Sequence, residues 1–160
     1  MKKQLLHSGW QLTTVGKNDT IPATVPGSVY NDLLNAGRME DPYWRDNEMK
    51  ALALMDEDYR YNTTFDVNAD VLNSERVLLR CEGLDTIADI VLNGEKIASV
   101  CNMHRTWEFD VKDSLKTTGN TLEIVFHSPT KYIKEQDKIC HAGGSDDAMV
   151  GFPNLRKAHC

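Results

Sequence analysis

The 160-residue chain is short of several things, and each shortage removes a class of function. It has no long apolar run. Nothing approaches the roughly 20 apolar residues of a membrane-spanning helix. After Lys2 and Lys3 come only Leu5 and Leu6 before His7, Ser8 and Gly9. A secretory leader needs an apolar stretch of about 7–15 residues, so the expectation is a soluble, cytoplasmic chain. Positive charge is also scarce: 18 Lys and Arg stand against 24 Asp and Glu, a net charge of −6. Nucleic-acid binding and attraction to an anionic membrane both need clustered Lys and Arg. Neither partner is expected, whereas a neutral ligand such as a sugar is not excluded.

Chemistry-bearing motifs are missing as well. The sequence has no G-x-x-x-x-G-K-[ST] and no G-x-G-x-x-G, so a nucleotide site has no support. It has no G-x-S-x-G, and none of its five histidines has a recognisable Ser or Cys partner motif. Its four cysteines, Cys81, Cys101, Cys140 and Cys160, form no C-x-x-C and are expected to be reduced. Cys81, inside VLLRCEGL, reads as a small buried residue. Cys140–His141 and His159–Cys160 supply zinc-type ligands, but adjacent ligands match zinc spacings poorly. No metal and no cofactor is expected.

What is present is a β-rich pattern behind an irregular first third. TIPATVPG, with two prolines, reads as an extended arm. Ser28 is a suitable N-cap for a short helix over Val29–Ala36, which Gly37 can terminate. A weakly helical stretch follows around Met49–Met55. From Asp58 the period becomes two: Tyr59, Tyr61, Thr63 and Phe65 alternate with polar residues. VLLRCEGL (77–84) reads as a strand covered on both faces or nearly so. TIADIVLNGEKIASV (86–100) holds two β-rich runs around Asn93–Gly94, the preferred pair of a type I′ hairpin turn. WEFDV (107–111) and TLEIVFHS (121–128) read as further strands. Pro129 opens a helical TKYIKEQDKIC, and 142–151 reads as a loop. No linker or repeat divides the chain, so residues 1–160 are expected to be one mostly antiparallel β-sandwich or barrel with a few short helices.

Two kinds of residue cluster invite a chemical reading. Asp41, Asp46 and Glu48 are followed by Asp56, Glu57 and Asp58. A glycosidase needs two carboxyl groups roughly 5–9.5 Å apart, which nearness in sequence does not deliver, so a solvated acidic surface is expected. Trp10, Trp44 and Trp107 with Tyr43, Tyr59 and Tyr61 are candidates for a sugar-stacking platform or for core packing. Core packing is expected of Trp10 and Trp107, while Tyr43 and Trp44, in a polar loop, are open to both readings.

PATVPGSVYNDLLNAGRMEDPYWRDNE (22–48), GLDTIADIVLNGEKI (83–97), NMHRTWEFDV (102–111) and LRKAH (155–159) stand in the order found in the N-terminal domain of glycoside hydrolase family 2 β-mannosidases. The chain resembles that domain over nearly all of residues 10–160. The hairpin block alone matches the wider family, β-galactosidases and β-glucuronidases included; the RDNE and LRKA blocks resemble the mannosidase branch. Leu54 and Tyr59 stand where relatives often carry tryptophan.

The resemblance implies a jelly-roll sandwich of the galactose-binding type, followed in the parent by immunoglobulin-like sandwiches and a TIM barrel. That barrel holds both catalytic glutamates of a retaining mechanism, so no catalytic residue is carried onto this chain. The chain's last segment, GFPNLRKAHC, is expected to be mid-chain in a larger enzyme, just before a GWDWGP-type motif. The parent is expected to remove terminal β-D-mannose from β-mannosides, with this domain packing on the barrel and shaping the substrate pocket. Asp41, Arg45, Asp46, Asn47 and Glu48 match the DP–RDNE loop, and Arg156 and Lys157 match LRKA. These seven are the candidate substrate-rim or domain-interface residues, with an intradomain ion-pair network as the alternative. Rival readings are the same domain in a β-galactosidase or β-glucuronidase, and a freestanding carbohydrate-binding module.

Overall fold

A computed structural model describes residues 2–140. In chain order its strands are β1 (Gln11–Thr14), β2 (Ile21–Pro22), β3 (Tyr59–Phe65), β4 (Leu78–Cys81), β5 (Ala88–Leu92), β6 (Glu95–Val100), β7 (Trp107–Asp110) and β8 (Asn120–Phe126). Its helices are α1 (Val29–Asn35), α2 (Asn47–Ala53), α3 (Ala69–Leu72) and α4 (Pro129–Ile139), with 3-10 turns at Leu54–Asp56 and Lys112–Ser114. Six strands form one sheet in the order β2-β1-β3-β8-β5-β6, and β4 pairs with β7 in a second. Every pairing is antiparallel. The expected mostly antiparallel β architecture with short helices is what the chain adopts.

The period-two pattern decides which face of the large sheet is dry. Register aligns Leu12, Tyr61, Ile124 and Ile90 across four neighbouring strands. With Leu92, Leu122, Ala88 and Val100 they make the core, each at most 8% exposed. The second sheet closes that core from the other side through Cys81 and the half-buried Leu79, Trp107 and Phe109. The rings of Trp107 and Phe109 lie 6.5 Å apart and nearly parallel. Cys81 is buried as expected, and burial pushes its thiol up to about 11.

One strand departs from expectation. VLLRCEGL is covered on one side only: Leu78 is 40% exposed, and Arg80 points outward with it. The outer side of this two-stranded sheet carries Arg76–Asp110 and Arg80–Glu108 pairs. Among the described residues nothing covers the outer side of this two-stranded sheet, so a run of leucines is no proof of double burial.

Local signals account for most boundaries. The Ser28 hydroxyl accepts the Asn31 amide at 3.3 Å and starts α1, and Gly37 adopts a left-handed φ of 66° just after its end. Asn93 and Gly94 have φ of 52° and 84° between β5 and β6, the I′ geometry that the dipeptide predicts. Pro129 occupies the first turn of α4 behind the Ser128 cap. The weak helix around 49–55 starts earlier than expected, at Asn47, and tightens into a 3-10 turn after Ala53. The expected loop at 142–151 lies outside the described residues.

Leu54 and Tyr59, the two departures from tryptophan, meet each other: the Tyr59 hydroxyl donates to the Leu54 carbonyl at 3.1 Å. Tyr59 is 1% exposed. Desolvation, reinforced by nearby Glu57, pushes its phenol far above the ordinary range.

Candidate domain-interface loop

Residues 41–49 form a loop and the start of α2, and short-range polar bonds set the backbone. The Asp41 carboxylate accepts the Tyr43 amide at 2.9 Å, an Asx turn. The Asp41 carbonyl accepts both the Trp44 amide and the Asn47 side-chain amide at 3.1 Å. The Asn47 backbone amide returns to the Trp44 carbonyl at 3.2 Å. Between them Arg45 sits at φ 55°, a left-handed conformation disfavoured for a non-glycine residue. A 2.5 Å Glu40–Lys50 ion pair ties the residue before the loop to α2. The Tyr30 hydroxyl ties α2 to α1 by donating to the Ala51 carbonyl at 2.7 Å.

The five loop candidates therefore have different tasks. Asp41 and Asn47 hold the loop's shape. Arg45, Asp46 and Glu48 point to solvent and make no ion pair among the described residues. An intradomain ion-pair network does not form here among those residues. The Arg45 guanidinium instead lies 5.6 Å from the centroid of the Trp44 ring. Arg156 and Lys157 lie outside the described residues, as do His141, His159 and Cys160.

The six aromatic candidates separate in the fold. Tyr59, Tyr61 and Trp10 are buried in the core, and the Trp10 indole donates to the Leu6 carbonyl at 2.8 Å. Trp107 is half-buried under Arg105, whose guanidinium is 4.4 Å from its ring centroid. Only Tyr43 and Trp44 are exposed, at 97% and 63%. A common platform of all six is ruled out by this placement.

The second acidic run is a solvated face only in part: Asp56 is exposed and Glu57 and Asp58 half-buried, but all three are paired. Asp56 accepts from the Thr130 hydroxyl at 2.8 Å and from Lys134 at 3.1 Å. Asp58 accepts the Ser128 amide at 2.9 Å and pairs with Lys131 at 3.3 Å. Glu57 pairs with Lys17 at 2.9 Å. His127 completes this cluster, with Nε2 3.1 Å from Asp89 and Nδ1 3.6 Å from Asp58. Asp56 and Asp58 fasten α4 beside the start of β3, His127 links the end of β8 to β5, and Glu57 reaches the turn after β1. Charge patterning along the chain misses them because it registers only near neighbours, and each of these partners lies far away in sequence.

Their electrostatics bear on chemistry. The Thr130 hydroxyl, then Lys134, hold Asp56 below the usual carboxylate range. Burial pushes Asp58 up, but the Ser128 amide and Lys131 outweigh it and leave it lowered. Burial likewise opposes ionisation of Asp89, yet Lys96, Ser99 and His127 bring it down to about 2. A glycosidase's general acid needs a raised carboxyl, and among the described residues each carboxyl whose acidity is clearly moved is moved the other way. Among the described residues no cluster of His, Cys, Asp or Glu could hold a metal ion, and no helix is long and apolar enough to cross a membrane.

A third feature is the outer face of the large sheet, a groove of about 670 Å3 lined by Gln11, Thr13, Arg60, Asn62, Thr121 and Glu123. The Arg60 Nε lies 3.3 Å from Glu123, too poorly aligned to count as a hydrogen bond. The lining is polar throughout, as the outward positions of a half-buried sheet should be.

Fold and loop together define a class: an antiparallel β-sandwich domain with a pre-shaped aromatic loop and no catalytic set among its described residues. The chain belongs to the glycosyl hydrolase 2 galactose-binding domain-like family, whose model matches residues 10–160. It is 31% identical over 133 residues to the β-mannosidase of Bos taurus, covering 83% of this chain and 15% of that protein. It is 38% identical over 122 residues to β-mannosidase A of Emericella nidulans, covering 74% of this chain and 13% of that protein. The solved β-D-mannosidase of Dictyoglomus thermophilum superposes with a TM-score of 0.84 at 36% identity, over 88% of this chain and 18% of that one. The exo-chitosanase of Amycolatopsis orientalis, at 20% identity, TM-score 0.64, and 74% and 16% coverage, shares the fold. The chain thus spans about 15% of the length of the curated relatives it matches.

Proposed function

We propose that this chain is the non-catalytic N-terminal domain of a retaining, exo-acting glycoside hydrolase that removes terminal β-D-mannose residues. The observation that carries the reading is its likeness to a solved β-D-mannosidase: 36% identity with a TM-score of 0.84, against 18% and 0.57 for the β-D-glucuronidase of the same organism. That contrast favours the mannosidase branch over the β-glucuronidase rival.

In this reading the acid/base and nucleophile reside in a barrel elsewhere in the polypeptide. This domain packs on that barrel and supplies a wall near its pocket. The residues proposed for that wall are Arg45, Asp46 and Glu48, whose charges face outward, with Asp41 and Asn47 holding the loop behind them. Arg156 and Lys157, in the LRKA segment, are proposed to join them.

The test is to express the full-length gene product and assay p-nitrophenyl β-D-mannoside, β-D-galactoside and β-D-glucuronide side by side. Preferential hydrolysis of the mannoside, with the β-anomer formed first by NMR, is the expected outcome. Preference for another glycoside refutes the sugar assignment, and inversion refutes the mechanism. The 160-residue chain is expected to hydrolyse none of the three. Millimolar or tighter binding of manno-oligosaccharides by that chain alone would support a freestanding binding module instead.

A further inference from the structure

The outward side of the 41–49 loop is the part of the surface that the domain's own interior does not explain. Tyr43 is 97% exposed, Trp44 63% and Met49 56%, all within seven consecutive positions. Single exposed apolar residues are ordinary; a local concentration of large ones marks an interaction surface. Trp, Tyr, Met and Arg are also the types enriched in the centres of protein interfaces, where a few of them carry most of the binding energy.

The patch is held in shape before any partner arrives. The Asp41 turn, the Asn47 side chain and the Glu40–Lys50 pair fix the backbone on both sides of Tyr43 and Trp44. Preorganisation of this kind lowers the ordering cost of association. Arg45 lies beside the Trp44 ring at 5.6 Å and makes no ion pair among the described residues. The patch therefore presents an aromatic surface and an available planar cation together. Glu48, in the first turn of α2, adds an available anion at its edge.

We propose that Tyr43, Trp44 and Arg45 are the anchor by which this domain docks onto another domain of the same polypeptide. The surface they fit is an apolar recess bordered by a carboxylate opposite Arg45 and a basic group opposite Glu48. A forked guanidinium–carboxylate pair screened by the two rings fixes orientation, while the rings supply the buried area. The inference rests on the reading of the chain as one part of a larger enzyme. That reading makes such a partner available, because 80% or more of each matched mannosidase lies outside the aligned region. A sugar ring stacked on Trp44 is the competing occupant, and Arg45 already lies against that ring.

Hydroxyl-radical footprinting of the full-length gene product, without sugar, tests this. Labelling of Tyr43 and Trp44 is compared between the folded protein and the same protein in urea. Docking predicts labelling at least about tenfold slower in the folded protein, although these side chains are exposed in the domain itself. Rates near those of the unfolded chain overturn the proposal. Protection that appears only on adding mannose or mannobiose also overturns it, in favour of a sugar platform. A second measurement is Trp44→Ala in the full-length protein. Docking predicts faster labelling of Tyr43 and Met49, and unchanged labelling there counts against it. The two readings fail separately: a protected loop in a protein without mannosidase activity sinks the enzymatic assignment, and an active mannosidase with a freely labelled loop sinks the docking one.

Discussion

The Tyr61 hydroxyl donates to Asp32 Oδ2 across 2.8 Å, with Asp32 only 2% and Tyr61 7% exposed. The other oxygen of that carboxylate accepts the Thr24 amide at 3.0 Å. One buried side chain on α1 thus ties the extended arm to the central strand β3. Burial first, and then Asp32, push the Tyr61 phenol far above its ordinary range, so it stays a donor. Asp32→Ala orphans an amide and a hydroxyl in the core and is expected to cost about 2–4 kcal/mol. Tyr61→Phe, which removes one donor from the carboxylate, should cost about 1–3 kcal/mol. Equilibrium urea unfolding at pH 7 measures both. A smaller loss for Asp32→Ala than for Tyr61→Phe would refute the carboxylate as the shared tie.

Gly27 ends the VPG segment, and its constraint is spatial. A Cβ built there would lie 2.2 Å from the Thr24 carbonyl oxygen, a backbone atom that cannot swing aside. Gly27→Ala should therefore displace the arm, at about 1–3 kcal/mol. Gly16 offers the contrast: its φ of 84° strains a side chain, but no atom stands within 4 Å. Gly16→Ala should cost about 1–2 kcal/mol and leave the arm in place. Amide chemical shifts of residues 22–28 distinguish the two, since only Gly27→Ala should move them widely.

Asp89 sets an acid-side dependence. Its folded value of about 2 lies below the ordinary carboxylate value of about 3.9. The stabilisation is present above the ordinary value and is lost as pH falls through it toward 2. Since the side chain is 24% exposed, screening limits this to about 1–2 kcal/mol. Asp56 and Asp58 are lowered too and add in the same direction. Urea midpoints between pH 5 and 2 should therefore fall, and fall less steeply in Asp89→Asn. A slope unaltered by that substitution would contradict the assigned role.

Ser128 carries the attachment of α4. Its hydroxyl contacts the Met55 carbonyl and lies 2.7 Å from the Thr130 hydroxyl, and the Thr130 hydroxyl also reaches Met55 at 2.9 Å. Ser128 also caps the helix, accepting the Lys131 amide at 3.2 Å. Ser128→Ala should cost about 1–2 kcal/mol. Hydrogen exchange should accelerate across 131–139 while β3 and β8 stay protected, because the cap belongs to the helix and not to the ladder. Equal acceleration in the strands would show that the loss is global.

The strands were legible because their signal is local. Tyr59, Tyr61 and Thr63 announce their buried face by alternation alone, and Asn93–Gly94 announces its turn by φ preference. The second job of Asn93 was not legible. Its amide donates to the Ser114 carbonyl at 2.7 Å and to the buried Asn120 at 3.0 Å, a contact made across two other elements. The short strands β1 and β2 and the four-residue α3 were missed because so few residues carry no period. At the candidate loop, residue types single out a stretch but not the tasks within it. They could not separate Asp41 and Asn47, which shape it, from Arg45, Asp46 and Glu48, which face outward. That division follows from which atoms meet, and composition holds no record of it.

The order of the large sheet also has a consequence for how the molecule behaves in company. A sheet with two open rims is a template for recruiting strands from other chains. Among the described residues one rim is β2, two residues long and ending in Pro22, which has no N–H to offer a newcomer. The other is β6, which opens with Glu95 and Lys96 and meets β5 through a register break at Ile90/Val91. Charge and irregularity on one side and a proline stub on the other discourage end-to-end growth. Neutralising Glu95 and Lys96 together would remove one of these two guards against fibrous self-association.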